Sequence, residues 1–201
     1  MNMTPQTLAD CQALDQQDPL RAMRNLFQLP EGVVYLDGNS LGVLPKATPS
    51  RVAQAVAQEW GADLIKSWNT AGWFQMPLKV GNKIARLIGA QDDEVVAADS
   101  TSINLFKVLS AALSIAKADH PQKNIILSER TNFPTDLYIA EALCKERGYQ
   151  LKLVEAEELH AALQNDVAVL MLTHVNYRTG AMLNMKEITA AAHTVGALTV
   201  W

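Results

Sequence analysis

The stretch NIILSERTNFPTDLYIAEALCKERGYQLKLVEAEELHAALQNDVAVLMLT, residues 124–173, carries the pattern that decides the fold. It contains three short apolar segments, separated by two segments whose apolar residues recur at helical spacing. The alternation extends to both sides, with strands predicted at 94–99, 124–128, 149–155, 167–173 and 197–201, and helices at 102–117, 135–147, 157–164 and 186–195. Such alternation is typical of a parallel sheet with right-handed crossovers. The sequence therefore predicts an α/β fold in which helices flank a mostly parallel sheet.

Composition narrows the classes of partner. The 201 residues are 49% hydrophobic and 19% charged, with a formal net charge of −4, which suits a globular chain with one sizeable core. Because the positive residues are scattered, we expect neither a nucleic acid nor a membrane surface as a partner, but a small molecule. Cys11 and Cys144 lie far apart, the N-terminus has no signal-peptide pattern, and no apolar run approaches the ~20 residues of a membrane helix. These features predict a cytoplasmic protein, and no metal site is predicted.

The segment YLDGNSLGVLPKAT, residues 35–48, predicts a loop with an unusual amount of polar, flexible backbone. A strand is predicted at 33–36 and a helix is expected to open at Pro45. Glycines on both sides of Ser40 allow close backbone approach, so the loop is either a surface turn or a loop that reaches into a site. Two helices are predicted after it, at 46–64 and 77–90, each with apolar residues on one face.

Three predicted turns after strands carry the candidate ligand-binding residues, because ligands of open α/β sheets bind beyond the carboxyl ends of the strands. In DSTSINLF, residues 99–106, the side chains of Ser100, Thr101 and Ser102 lie at a helix start, which suits a phosphate or, alternatively, a simple N-cap. The other two turns are ERTNFPTD and THVNYRTGAMLNM, residues 129–136 and 173–185.

The turn ERTNFPTD presents Phe133 ahead of Pro134, Thr135 and Asp136. An aromatic ring at such a turn can stack on a planar ligand. The alternative is that Phe133 packs in the core while Thr135 or Asp136 caps the next helix. In the third turn, Thr173 and His174 begin a long polar segment, although a lone histidine is more often a surface or core residue.

Four motifs together resemble kynureninase, a pyridoxal-phosphate enzyme of the aspartate-aminotransferase-like fold: YLDGNSLGVLPKA, STSIN, NFPTD and HVNYRTGAMLNM. GNSLG is the most specific of these pieces, and FPTD comes next. The resemblance implies fold type I of the pyridoxal-phosphate-dependent transferases, with residues 1–50 as an N-terminal segment carrying the GNSLG loop. Residues 51–201 would be an incomplete cofactor-binding large domain.

The resemblance also implies roles for single residues. Thr101 and Ser102 match positions that hold the cofactor phosphate, and Thr173 matches a hydroxyl beside the cofactor. Phe133 matches the aromatic that lies against the pyridine ring, and the remainder of its turn, Pro134, Thr135 and Asp136, completes the binding turn. On the substrate side, Ser40 matches a position near the substrate, and Trp68 falls where other members carry a histidine.

The implied activity is hydrolysis of L-kynurenine to anthranilate and L-alanine, and of 3-hydroxykynurenine to 3-hydroxyanthranilate, in a homodimer. The resemblance covers about the first half of such an enzyme, and the Schiff-base lysine is expected beyond Trp201, so the chain is expected to be inactive alone. Two alternatives stay open. One is another fold type I enzyme, an aminotransferase or a cysteine desulfurase, although desulfurases typically carry a histidine where Phe133 lies. The other is a non-catalytic fragment.

Overall fold

The computed structural model describes residues 7–201, and the chain divides into two compact units, with the boundary in the sequence between Val96 and Ala97. The predicted division at residue 50, between the GNSLG segment and a large domain, stays a prediction.

The first unit is mostly helical. Its elements in chain order are α1 (Leu8–Gln17), a 3₁₀ helix (Arg21–Leu26), β1 (Phe27–Gln28), β2 (Leu44–Pro45), α2 (Thr48–Gln54), a π-helix (Ala55–Trp60), a 3₁₀ helix (Leu64–Lys66), α3 (Ser67–Thr70), a 3₁₀ helix (Trp73–Gln75) and α4 (Met76–Ile88). The predicted helix 46–64 is therefore divided into three pieces, whereas the helix predicted at 77–90 is confirmed as α4.

Two predictions around the GNSLG loop are wrong. Residues 33–37 have no regular structure, because an apolar segment becomes a strand only where a neighbour supplies its hydrogen bonds. Pro45 does not open a helix, since it lies in β2 opposite Phe27. The helix α2 begins at Thr48, and Pro49 takes the early helical position that suits proline.

Large apolar residues of the predicted helix faces stay exposed within the described residues. Trp60 is 66% exposed and Leu87 is 86% exposed. In α4 the buried positions are instead Gly81 and Ala85. Periodicity thus identified the apolar face of a helix but not what packs against it.

The second unit is a layered α/β structure. Its elements are α5 (Thr101–Asp119), β3 (Ile125–Glu129), α6 (Pro134–Arg147), β4 (Gln150–Val154), a 3₁₀ helix (Ala156–Glu158), α7 (Leu159–Ala162), β5 (Val167–Met171), α8 (Met185–Thr194) and β6 (Leu198–Val200). The strands form one sheet in the order β4-β3-β5-β6, and every pair is parallel. The predicted parallel sheet with flanking helices is therefore confirmed.

Two clusters of buried residues cover the two faces of this sheet. Alternate residues of β3 point to opposite faces, so Ile126 packs against α5 and α6, whereas Leu127 packs against α7 and α8. In α5 the buried residues recur at the spacing of one helix face: Leu109, Ala112, Leu113 and Ala116. Because helices cover both faces of the sheet, the ends of the strands are the parts that remain open.

The strand predicted at 94–99 is wrong. Residues 95–98 have no regular structure, and Asp99 adopts a left-handed conformation with φ 47° that leads the chain into α5. No strand of the described residues pairs with this segment, so its apolar side chains alone do not produce a ladder. Within residues 7–201, no helix is both long enough and apolar enough to cross a membrane.

Candidate active site

A pocket of about 400 Å³ opens in the second unit, at the carboxyl ends of β5 and β6 and beside the start of α5. This is the edge where ligands bind in parallel α/β sheets. The lining residues are Thr101, Asn104, Leu105, Val108, Asn132, Asp136, Met171, Leu172, Thr173, His174, Val200 and Trp201.

The start of α5 contributes backbone donors to this pocket. The hydroxyl of Ser100 accepts a hydrogen bond from the backbone N–H of Ile103 at 3.4 Å, so Ser100 is the N-cap of α5. A simple N-cap was one of the two interpretations of this turn. The backbone N–H groups of Thr101 and Ser102 have no acceptor among the described residues. Since α5 has 19 residues, these free donors lie at the positive end of a long helix dipole. The arrangement fits an anionic group such as a phosphate.

The turn before α6 presents an aromatic ring rather than burying it. Phe133 is the N-cap residue of α6 without a side-chain cap, and Pro134 opens the helix. Phe133 is 46% exposed, and its ring meets that of Tyr177 edge-on at a centroid distance of 5.2 Å. Phe133 is therefore not a core residue, and neither Thr135 nor Asp136 caps the helix.

Asp136 is a half-buried acidic residue that lines the pocket. Burial raises the pKa of its carboxyl above the ordinary value. Its side chain accepts no hydrogen bond from any described residue, although Asp136 lines the pocket. A ligand with a hydrogen-bond donor would therefore find an unused acceptor here.

The end of β5 supplies a hydroxyl and a histidine. Thr173 and His174 lie just after the strand, separated from it by Leu172, and the imidazole ring of His174 meets the indole of Trp201 edge-on with the ring centroids 6.1 Å apart. The indole N–H of Trp201 donates to Thr189 at 2.9 Å, which fixes the ring at the pocket wall.

The predicted substrate residues belong to the first unit. Ser40 is exposed, in a loop closed by the hydroxyl of Tyr35, which donates to the carbonyl of Leu41 at 2.7 Å. Neither Gly38 nor Gly42 has a positive φ, and a Cβ added at either would meet no atom within 4 Å, so nothing in the described residues requires glycine there. Ser40 as a substrate residue stays a prediction.

Trp68 is 49% exposed and lies in a segment anchored to the π-helix. The indole N–H of Trp73 donates to the carboxylate of Glu59 at 2.7 Å, and the buried hydroxyl of Ser67 donates to the Glu59 carbonyl. The hydrogen bond from Trp73 holds the pKa of Glu59 below its ordinary value, together with Arg51 at 2.8 Å. These bonds hold Trp68 at the surface, and its contact with a substrate stays a prediction.

The pocket thus brings together Thr101, Asp136 and Thr173. The other residues predicted to hold the cofactor, Ser102, Phe133, Pro134 and Thr135, lie in the same turns but do not line it. Sequence reasoning missed Asn104, Asn132 and Trp201 as lining residues. Asn104 lies one helical turn after Thr101, on the same face of α5, which was a usable signal.

None of the lysines lines the pocket. Lys123 is the buried one, 5% exposed, and its ammonium group donates to the carbonyls of Asn165, Val167 and Val195 at 2.9, 3.2 and 2.6 Å. These carbonyls lie at the amino ends of β5 and β6, away from the pocket. Lys123 therefore has a structural role.

Comparison with known proteins identifies the relatives. The protein-family model for aminotransferase class-V matches residues 34–201. The kynureninase of Pseudomonas fluorescens is 54% identical over 97% of this chain and 48% of its own length, and that of Burkholderia mallei (strain SAVP1) is 50% identical with the same coverage. The resemblance inferred from the motifs is confirmed. The chain spans about half the length of these curated relatives.

Solved structures agree on the fold. A C-DES mutant described with glycine covalently linked to its PLP cofactor superposes with a TM-score of 0.70 at 18% identity, covering 88% of this chain and 47% of that one. The apo cysteine desulfurase of Thermococcus onnurineus NA1 superposes with a TM-score of 0.64, also at 18% identity, covering 98% and 48%. With the family model matching most of its length, the chain belongs to the aminotransferase class-V family.

Proposed function

We propose that the chain forms the cofactor-holding part of a kynureninase. The reaction is the hydrolysis of L-kynurenine to anthranilate and L-alanine, and of 3-hydroxykynurenine to 3-hydroxyanthranilate. The observation that carries the proposal is the 54% identity to a kynureninase over 97% of the chain. We further propose that the whole enzyme is a cytoplasmic homodimer.

The pocket and the turns beside it suit pyridoxal phosphate in their chemistry. The free N–H groups of Thr101 and Ser102 suit the phosphate. Phe133, exposed and ahead of Pro134, suits a planar ring, and the hydroxyl of Thr173 lies at the end of a neighbouring strand. When bound, pyridoxal phosphate supplies an electron sink for cleavage of the Cβ–Cγ bond of the substrate.

In this proposal, residues of this chain bind and orient the cofactor and the substrate. The start of α5 neutralises the phosphate, and the turn Phe133 to Asp136 holds one face of the ring. Ser40 and Trp68 are proposed to contact the substrate. Because no lysine of the chain lines the pocket, we place the cofactor-binding lysine in the part of the relatives' length that this chain does not span.

The assay that tests this function uses the protein completed to the length of its relatives. We expect it to release anthranilate and L-alanine from L-kynurenine in the presence of pyridoxal phosphate and without a keto-acid acceptor. Anthranilate fluorescence and alanine chromatography measure the two products. A requirement for a keto acid would indicate an aminotransferase, and release of sulfur from cysteine would indicate a desulfurase. Absence of anthranilate would contradict the proposal.

The role proposed for Phe133 predicts weaker cofactor binding in the variant Phe133→Ala. We expect the dissociation constant of pyridoxal phosphate in the completed protein to rise about fivefold, because an aromatic contact is worth ~1 kcal/mol beyond burial. Equilibrium dialysis measures it. Phe106→Ala is the matched control, since Phe106 is 49% exposed in α5 and does not line the pocket. Equal constants for wild type and Phe133→Ala would remove Phe133 from the cofactor site.

A further inference from the structure

A buried asparagine connects two of the turns that form the pocket. Asn132 is 7% exposed, and both ends of its side-chain amide are hydrogen-bonded to protein groups. The carbonyl oxygen Oδ1 accepts the backbone N–H of Phe133 at 2.7 Å and the hydroxyl of Thr173. The amide nitrogen Nδ2 donates to the hydroxyl of Ser128 at 3.1 Å.

The donor and the acceptor of each of these hydrogen bonds can be assigned from the groups at the two ends of the network. A backbone N–H can only donate, so the atom of Asn132 that meets Phe133 must be the oxygen. An amide oxygen can only accept, so the hydrogen of the Thr173 hydroxyl must point at Asn132. At the other end, the hydroxyl of Ser128 donates to the carbonyl of Met171 at 2.7 Å and is thus free to accept from Asn132.

We propose that Asn132 is a positioning residue that engages the hydroxyl hydrogen of Thr173, so that Thr173 offers a bound ligand an acceptor and not a donor. Thr173 has one hydroxyl hydrogen, and Asn132 takes it, which leaves oxygen lone pairs for the pocket. The direction of the hydroxyl rests on this geometry alone. Its effect on a cofactor rests on the function proposed above.

The polarity of Thr173 selects the protonation state of the ligand group that faces it. An acceptor stabilises the protonated form of an O–H or ring N–H group and raises its pKa, whereas a donor stabilises the deprotonated form and lowers it. Freeing the Thr173 hydroxyl is therefore expected to lower the pKa of the facing group. The sign is the same for a phenolic oxygen and for a pyridine nitrogen.

Asn176 provides a matched control in the adjacent turn. It is 8% exposed, and its Nδ2 donates to Glu129 at 3.0 Å and to Thr131 at 2.8 Å, while its Oδ1 accepts the backbone N–H of Arg178 at 2.9 Å. It makes no hydrogen bond to Thr173. A variant at Asn176 loosens the same edge of the sheet without freeing the Thr173 hydroxyl.

The first measurement uses the ligand-free chain. In mixed light and heavy water, a slowly exchanging hydroxyl splits the ¹³Cβ signal of its threonine into two. We expect this splitting at Thr173 in wild type, in Asn176→Leu and in Asn132→Asp, whose carboxylate still accepts the hydroxyl. We expect it to be lost in Asn132→Leu. A single Thr173 signal in wild type, or splitting that survives in Asn132→Leu, overturns the proposal. If Asn132→Leu does not fold, the splitting of the Thr173 signal in wild type and in Asn132→Asp tests the proposal.

The second measurement adds pyridoxine 5′-phosphate, which lacks the aldehyde and binds without a lysine. Its ultraviolet absorbance reports the protonation of its ring groups. In Asn132→Leu we expect the titration midpoint of the bound ligand to fall by about one pH unit, equivalent to a tenfold change in proton affinity. We expect Asn176→Leu to leave it unchanged and Thr173→Val to abolish the sensitivity to residue 132. A shift that persists with Thr173→Val overturns the role of Thr173. Absence of ligand binding, with the hydroxyl splitting intact, instead contradicts the proposed function.

Discussion

Gly81→Ala is expected to destabilise the first unit by about 3 kcal/mol or more, at a helix position where residue propensity favours alanine by about 1 kcal/mol. Gly81 is buried in α4, and a Cβ there would lie 1.8 Å from the carbonyl oxygen of Val95 and 2.6 Å from its carbon. Both contacts are with backbone, so no side-chain rotation relieves them, and either α4 or the segment at Val95 must move.

Chemical denaturation followed by tryptophan fluorescence measures this effect, since Trp60, Trp68 and Trp73 all belong to the first unit. The control is Gly42→Ala, because Gly42 has no positive φ and a Cβ there would meet no atom within 4 Å. It is expected to change the free energy of unfolding by less than about 0.5 kcal/mol. Stabilisation by Gly81→Ala would show that α4 does not approach the backbone of Val95.

Lys123→Met is expected to lower the free energy of unfolding of the second unit by about 3 kcal/mol, on the scale of lost hydrogen bonds to a charged group. Methionine keeps an unbranched apolar stem but leaves the carbonyls of Asn165, Val167 and Val195 without their donor. Replacing both members of a buried ion pair can be neutral, but here the partners are backbone carbonyls that stay in place. Each hydrogen bond to a charged group contributes about 1.5–3 kcal/mol, so the loss outweighs the relief from burying the ammonium group.

Far-ultraviolet circular dichroism during denaturation measures this loss in the sheet unit. Lys117→Met is the control, since Lys117 is exposed on α5 and its side chain makes no hydrogen bond or ion pair within the described residues. It is expected to stay within about 0.5 kcal/mol of wild type. A similar small change for Lys123→Met would contradict the structural role, and would reopen the question of what this lysine does.

The amino-acid sequence by itself was enough to predict the α/β fold of the second unit and the end of the sheet at which its candidate site lies. Strands β3, β4 and β5 are short and apolar, and turn residues separate them from helices, so local pattern and tertiary structure agree. Chemistry at the carboxyl ends of parallel strands follows from that topology, which is why the turns that contain Thr101, Asp136 and Thr173 could be selected from residue type and position. The resemblance to a known family then singled out these residues within the turns.

Tertiary structure decided what depends on a partner distant in sequence. The apolar segments 33–36 and 94–99 look like strands but lack neighbours among the described residues, and a ladder needs two strands. For the same reason, helical periodicity could not tell that Leu87 stays exposed while Gly81 is buried.

The hydrogen-bond partners of buried polar residues could not be predicted from the sequence pattern either. Lys123 looks like any surface lysine until three carbonyls from residues 165–195 surround it. Asn132 looks like a turn residue until its oxygen meets Thr173, which is 41 residues further along the chain. Residue type states how many donors and acceptors a side chain has. The fold decides which groups they contact, because it brings the two turns together. It therefore also decides whether the Thr173 hydroxyl acts toward a ligand as a hydrogen-bond donor or as an acceptor.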